Sequence, residues 1–224
     1  MKLLSVNVSL PKTFVHDGKS VTTGIFKEPV AGRVMVKRLN LEGDGQADLT
    51  VHGGIDKAVY VYDTDSYRYW KRELGWDNLA YGYFGENLTV EDMPDDRIHI
   101  GDVFQVGGAL LEVSQPRVPC YKLELRMEMP GFSRRFLASG RLGFYLRVLA
   151  EGEVGAGDAI ERIKTDPEQV SVREIAHLLY FDRDNLDKIR QVLRVPALAQ
   201  AWRKPFGRLL AKSEGNFQGK DQGD

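Results

Sequence analysis

The sequence predicts a mainly β fold, a barrel or sandwich with a few short helices, followed by a small C-terminal three-helix element. Three observations lead there. Short β-type runs recur through residues 1–165 and are cut repeatedly by glycine and proline. Gly107-Gly108 separates two apolar runs, 104–106 and 109–113, as a hairpin turn would. After Lys164-Thr165-Asp166-Pro167 the apolar residues switch to helical spacing. That stretch is therefore the linker. It divides the chain into a β domain (1–165), a three-helix domain (166–212) and a polar, glycine-rich tail (213–224) expected to be disordered.

Each element has its own warrant. Residues 2–8 alternate apolar and polar side chains and read as a first strand. Residues 11–20 carry the turn signal Asp17-Gly18 and fit a hairpin or a loop. Residues 21–25 and 32–36 are short β-type runs. Glycine and acid alternate in Leu41-Glu42-Gly43-Asp44-Gly45, which marks a tight loop. That loop lacks the length and the terminal glutamate of an EF-hand, so calcium is not expected. Residues 58–62 are strongly β-type. Asp63, Thr64 and Asp65 offer a cap and first-turn acids for a helix that carries Tyr67, Trp70 and Leu74 on one face and stops at Gly75. Residues 121–126 fit one or two helical turns, and 132–139 a helix closed by Gly140. Residues 143–149 and 153–163 read as late strands that complete the β domain. In the tail region, Ser171-Val172-Arg173-Glu174 matches a capping box. A second helix follows over 184–193, and Pro196 suits the first position of a third. Three helices this short need a surface to dock on. They are read as an interaction or homodimer-forming element.

Composition narrows the function. A chain of 224 residues with 42% hydrophobic and 28% charged content is ordinary for a globular protein. A net charge of −1 argues against a large nucleic-acid footprint. No apolar run approaches the roughly 20 residues of a membrane span. A single cysteine excludes an internal disulfide framework and fits a reducing, cytoplasmic setting. The four histidines (His16, His52, His99 and His177) show no paired zinc spacing.

That cysteine, Cys120, stands in Ser114-Gln115-Pro116-Arg117-Val118-Pro119-Cys120-Tyr121-Lys122. Two prolines suit neither a helix interior nor a central strand, so the stretch is expected to be a rigid loop. Arg117 and Lys122 bring positive charge near the thiol, which favours the reactive, metal-binding thiolate. Taken alone, Cys120 is equally well a small buried apolar group. Elsewhere, His52-Gly53-Gly54 before Lys57 fits a loop that holds an anion through amides and an ammonium, or a plain turn. Glu86 and Asn87 lie between apolar residues and either face a pocket or are satisfied structural groups.

Gln115-Pro116-Arg117 followed by Pro119-Cys120-Tyr121-Lys122-Leu123 resembles the signature of the MOSC domain, named for the C-terminal domain of molybdenum cofactor sulfurases. Leu41-Glu42-Gly43-Asp44, His52-Gly53-Gly54 with Asp56-Lys57-Ala58, and Phe84-Gly85-Glu86-Asn87-Leu88 agree with it. The three-helix tail resembles the C-terminal extension of the YiiM subgroup. The resemblance implies a MOSC-type β-barrel and binding of the molybdenum cofactor, a pterin-dithiolene (molybdopterin) carrying Mo and a phosphate. It also implies reduction of N-hydroxylated compounds, such as hydroxylaminopurines, to N–H. No flavin- or haem-binding motif is present, so electrons are expected from a separate donor protein. On this reading Cys120 is the metal ligand and a catalytic residue. Arg117, Lys57, Lys122 and the Gly53 and Gly54 amides hold the cofactor's anionic end. His52 bonds the pterin or donates a proton, and Glu86 and Asn87 read pterin edges. Two other readings keep the same cysteine: a cofactor carrier or persulfide sulfur-transfer protein, and a binding module in which Cys120 is merely buried.

Overall fold

The structure, a computed structural model, describes residues 1–16, 18–47 and 53–218. Its strands are β1 (Lys2–Val8), β2 (Lys12–His16), β3 (Lys19–Thr23), β4 (Glu28–Pro29), β5 (Arg33–Val36), β6 (Val59–Asp63), β7 (Leu88–Glu91), β8 (Val103–Val106), β9 (Ala109–Pro116), β10 (Phe144–Ala150), β11 (Gly152–Gly155) and β12 (Ile160–Lys164). Its helices are α1 (Thr64–Leu74), α2 (Tyr121–Met127), α3 (Phe132–Ala138), α4 (Val172–Tyr180), α5 (Leu186–Arg194) and α6 (Gln200–Gln218).

The central sheet has eight strands in the order β12-β8-β9-β10-β6-β7-β1-β4. Its pairs are antiparallel except β6 with β7, which run parallel with α1 as their crossover. The residues 11–20 region resolves as the hairpin β2–β3, and β5 pairs with β11 apart from the main sheet. The expected barrel needs one correction. Among the described residues, no continuous ladder closes the sheet. The start of β1 meets the turn before β12 at one bridge, Lys2 with Ala159. Three backbone bonds, Leu3 N to Asp158 O (2.9 Å), Gly157 N to Leu3 O (2.8 Å) and Ile160 N to Met1 O (3.1 Å), make the contact. From Ile160 onward the ladder of β12 is with β8.

Local chemistry accounts for the elements that position the site. The Asp63 carboxylate accepts from Asp65 N (2.7 Å) and caps α1, and Gly75 ends it at φ 67°. The face of α1 carrying Tyr67 and Trp70 is buried. Trp70 and Phe136 stack at 5.8 Å, and Tyr62 and Phe84 pack at 4.7 Å, which joins α1, α3 and β6 in one core.

In the C-terminal element the capping box forms as read: Ser171 Oγ accepts from Glu174 N (3.2 Å) and Glu174 returns a bond to Ser171 N (2.9 Å). Pro196 does not open the third helix. It stands exposed in the link between α5 and α6, whose other residues from Val195 to Ala199 are buried, and α6 begins at Gln200. The helix α6 runs to Gln218, six residues into the stretch expected to be tail. Residues 219–224 lie outside the described residues.

Candidate functional site

The site lies where β9 ends. The expectation of a loop from Ser114 onward is corrected here, because β9 continues through Pro116, which pairs with Phe144. A proline is tolerated at that terminal position, where the ladder is ending. Arg117 then donates its N–H to Gly143 O (3.1 Å) and turns its guanidinium inward. Nη1 donates to Phe84 O (2.6 Å) and lies 3.1 Å from the Tyr60 hydroxyl, with the guanidinium 4.8 Å from the Tyr60 ring centre. Arg117 is 6% exposed.

Cys120 follows as the residue preceding α2, with extended backbone at φ −132°. Its carbonyl accepts from Leu123 N (2.9 Å) and from Ser133 Oγ (3.0 Å), so α2 and α3 both fix it. The thiol is half-buried.

Cys120 opens on a cleft. Among the described residues, four cations (Lys27, Lys57, Arg117 and Lys122) line it against one carboxylate, Asp44. Lys27 and Asp44 form a buried ion pair. Asp44 also accepts from Ser9 N (2.9 Å) and from Asn87 Nδ2 (2.9 Å), while Asn87 Oδ1 accepts from Tyr60 N (3.0 Å). Burial lowers the pKa of Lys27, and Asp44 opposes that shift. Lys57 is lowered for the same first reason, with Asp56 and Cys120 pulling the other way. Asp44 is thus fully engaged, and the cleft presents a positive surface around one thiol. Tyr60 and Tyr145 add aromatic walls.

Cys120, Arg117, Lys57, Lys122 and Asn87 are brought together on this cleft. Glu86 is not. It is fully buried, and its carboxylate accepts from Tyr67 Oη, Gly82 N (2.7 Å) and Thr89 Oγ1 (2.7 Å). Desolvation raises its pKa. Its second oxygen, Oε2, is buried with no hydrogen-bond partner among the described residues. Gly53 and Gly54 do not line the cleft either; Gly54 is exposed at φ 93°, and its carbonyl accepts from Lys57 N (3.0 Å). His52 lies outside the described residues. Sequence reasoning missed Lys27, which sits in Phe26-Lys27-Glu28 with no local signal. It also assigned no site role to Asp44, although glycine on both sides was a usable signal.

A model of the MOSC domain matches residues 48–161, and a model of the YiiM-like, 3-alpha helix domain matches residues 170–213. The chain belongs to the MOSC family. The Bacillus subtilis protein YflK is 42% identical over 204 residues, covering 91% of this chain and 92% of that one. A Gibberella moniliformis protein named Reductase is 32% identical over 182 residues, which is 80% of this chain but 32% of that longer protein. The crystal structure of YiiM from Geobacillus stearothermophilus superposes with a TM-score of 0.80 at 34% identity, over 93% of this chain and 98% of that one. MOSC domains are associated with the molybdenum cofactor at the family level. Among the described residues, no helix is long and apolar enough to cross a membrane.

Proposed function

We propose that the protein is a molybdenum cofactor-dependent reductase that converts N-hydroxylated compounds to N–H products, with electrons from a separate donor protein. The observation that carries this reading is one half-buried thiol, Cys120, on a cleft with four cations. The donor set fits the group. A thiolate suits a thiophilic metal, and the cofactor brings its own two sulfurs, so one protein cysteine suffices. The surplus of positive charge suits the pterin phosphate. When bound, the cofactor supplies the two-electron chemistry at the N–O bond. Conversion of N–OH to N–H and water takes up two electrons and two protons.

The chain's own residues bind and orient. Lys57 and Lys122 present ammonium groups to an anion. Arg117 contributes fixed positive charge from below, because its donors toward Phe84 and Tyr60 are already engaged. Asn87 is held by Asp44 and Tyr60 and shapes the polar wall. The aromatic faces of Tyr60 and Tyr145 suit a flat heterocycle.

The test is molybdenum per chain, by elemental analysis, in protein from a cofactor-replete host. Near-stoichiometric metal is expected in the parent, with turnover of a hydroxylaminopurine when a flavin-dependent electron donor is added. Cys120→Ser should lose both. Metal and activity retained in Cys120→Ser would overturn the reading. Metal without turnover would favour the cofactor-carrier reading.

A further inference from the structure

The three-helix element touches the sheet close to one cleft residue, and the contacts form a continuous chain. The Ile55–Lys57 turn packs on β9 and β10. Arg147 on β10 grips the Asp56 carboxylate through Nε (2.9 Å) and Nη2 (2.6 Å). The same Nη2 donates to Ala197 O (3.2 Å) in the link between α5 and α6. Ser114 on β9 repeats the arrangement. Its Oγ donates to Asp56 O (2.6 Å), and its carbonyl accepts from Ala199 N (3.0 Å). The link is buried: Val195 is 0% exposed and Ala199 2%. Thus two residues of the sheet each hold Asp56 on one side and the helical link on the other. Asp56 adjoins Lys57, whose carbonyl also accepts from Gln46 Nε2 (3.2 Å).

We infer that the three-helix element positions Lys57 at the cleft, with Arg147 and Ser114 as the connecting residues. Arg147 is a positioning residue in this account; it does not line the cleft. The structural reason is economy of rotation. The turn spans three residues and has no side-chain cap of its own. Two nitrogens of the rigid guanidinium fork converge on Asp56 Oδ1 and fix that oxygen's position. Tying that guanidinium and the Ser114 carbonyl to a buried link removes the remaining freedom. The inference rests on the cleft reading only for its functional meaning; the coupling itself is a property of the unliganded chain.

The experiment is hydrogen exchange on the full apoprotein, comparing the parent with Arg147→Gln and Asp56→Asn. Asp56→Asn weakens only the Arg147 contact, whereas Arg147→Gln also removes the pair of Arg147 Nη1 with Glu112 on β9; in both, exchange over residues 55–59 should speed up about tenfold. The deciding readout is reciprocal. Asp56 does not touch the link, yet Asp56→Asn should also speed exchange over residues 195–200, and the double variant should do no more than either single one. Unchanged exchange at the link in Asp56→Asn would overturn the inference, as would a uniform rise across the whole chain. A second arm titrates pyrophosphate into the apoprotein. Arg147→Gln and Lys57→Met should weaken binding by similar factors. Failure of the parent to bind pyrophosphate would count against the anionic-cofactor reading, and the exchange result would still decide the coupling.

Discussion

Asp95 provides a sharp test of how burial is balanced in this fold. It is 3% exposed, and its Oδ2 accepts from Leu142 N (2.7 Å) and Gly143 N (2.9 Å). Gly143 O in turn accepts from Arg117 N, so this carboxylate anchors the turn behind the signature arginine. Desolvation pushes its pKa from 3.8 to about 6, against the pull of the two amides and Arg173. A carboxyl group with a raised folded-state pKa binds its proton more tightly when folded. The stability it contributes is therefore present below the unfolded value and lost as pH rises through about 6. A difference of roughly two pH units corresponds to about 3 kcal/mol over the full range. About 2 kcal/mol of it falls between pH 4.5 and 7.5. The perturbation is Asp95→Asn, which cannot titrate. Urea unfolding of both proteins at several pH values and fixed ionic strength gives their stability difference. Relative to the variant, the parent should gain about 2 kcal/mol on going from pH 7.5 down to 4.5. A flat difference, or a parent that gains as pH rises, would refute the reasoning.

The other expectations are simpler. Ser171→Ala removes half of the α4 capping box and should cost about 1 kcal/mol, read as a fall of about 2–4 °C in Tm. Asp44→Leu leaves the Lys27 ammonium buried without its partner and should destabilise by about 3–5 kcal/mol in urea unfolding, whereas Lys27→Met combined with Asp44→Leu should recover much of that loss. A Cβ on Gly24 would lie 2.4 Å from Gly45 O, so Gly24→Ala should push two cleft loops apart and cost about 1–3 kcal/mol, with weaker ligand binding in titration.

Much of the fold was legible because its elements carry local signals. The cap at Asp63, the stop at Gly75, the Gly107-Gly108 turn and the Ser171–Glu174 box all appear where short-range chemistry places them. The errors share a cause. Pro116 was read as leaving the sheet, yet a strand end has room for a residue without a donor. Pro196 had the right residue type for a helix start, but the buried packing of Val195 and Leu198 keeps the link non-helical for four more residues. In the site, Cys120, Arg117 and Lys57 were legible as a thiol among cations. Which way Glu86 turns was not legible, because only the tertiary fold brings Tyr67 and Gly82 to its carboxylate. Lys27 was invisible because its partner, Asp44, is distant in sequence.

The inward set of Arg117 has a consequence for how salt acts on the cleft. At 1 M ionic strength the screening length in water is about 3 Å, and charges on exposed side chains are felt only by what touches them. Arg117 sits beneath Tyr60 and beside Phe136, where mobile ions cannot gather around it. Its field reaches the cleft through protein, not through electrolyte. An incoming anion would thus meet two kinds of attraction: one from the partly exposed Lys57 and Lys122 that fades as salt is added, and one from the interior that persists. Capture of an anionic ligand should slow with ionic strength toward a floor set by the buried guanidinium.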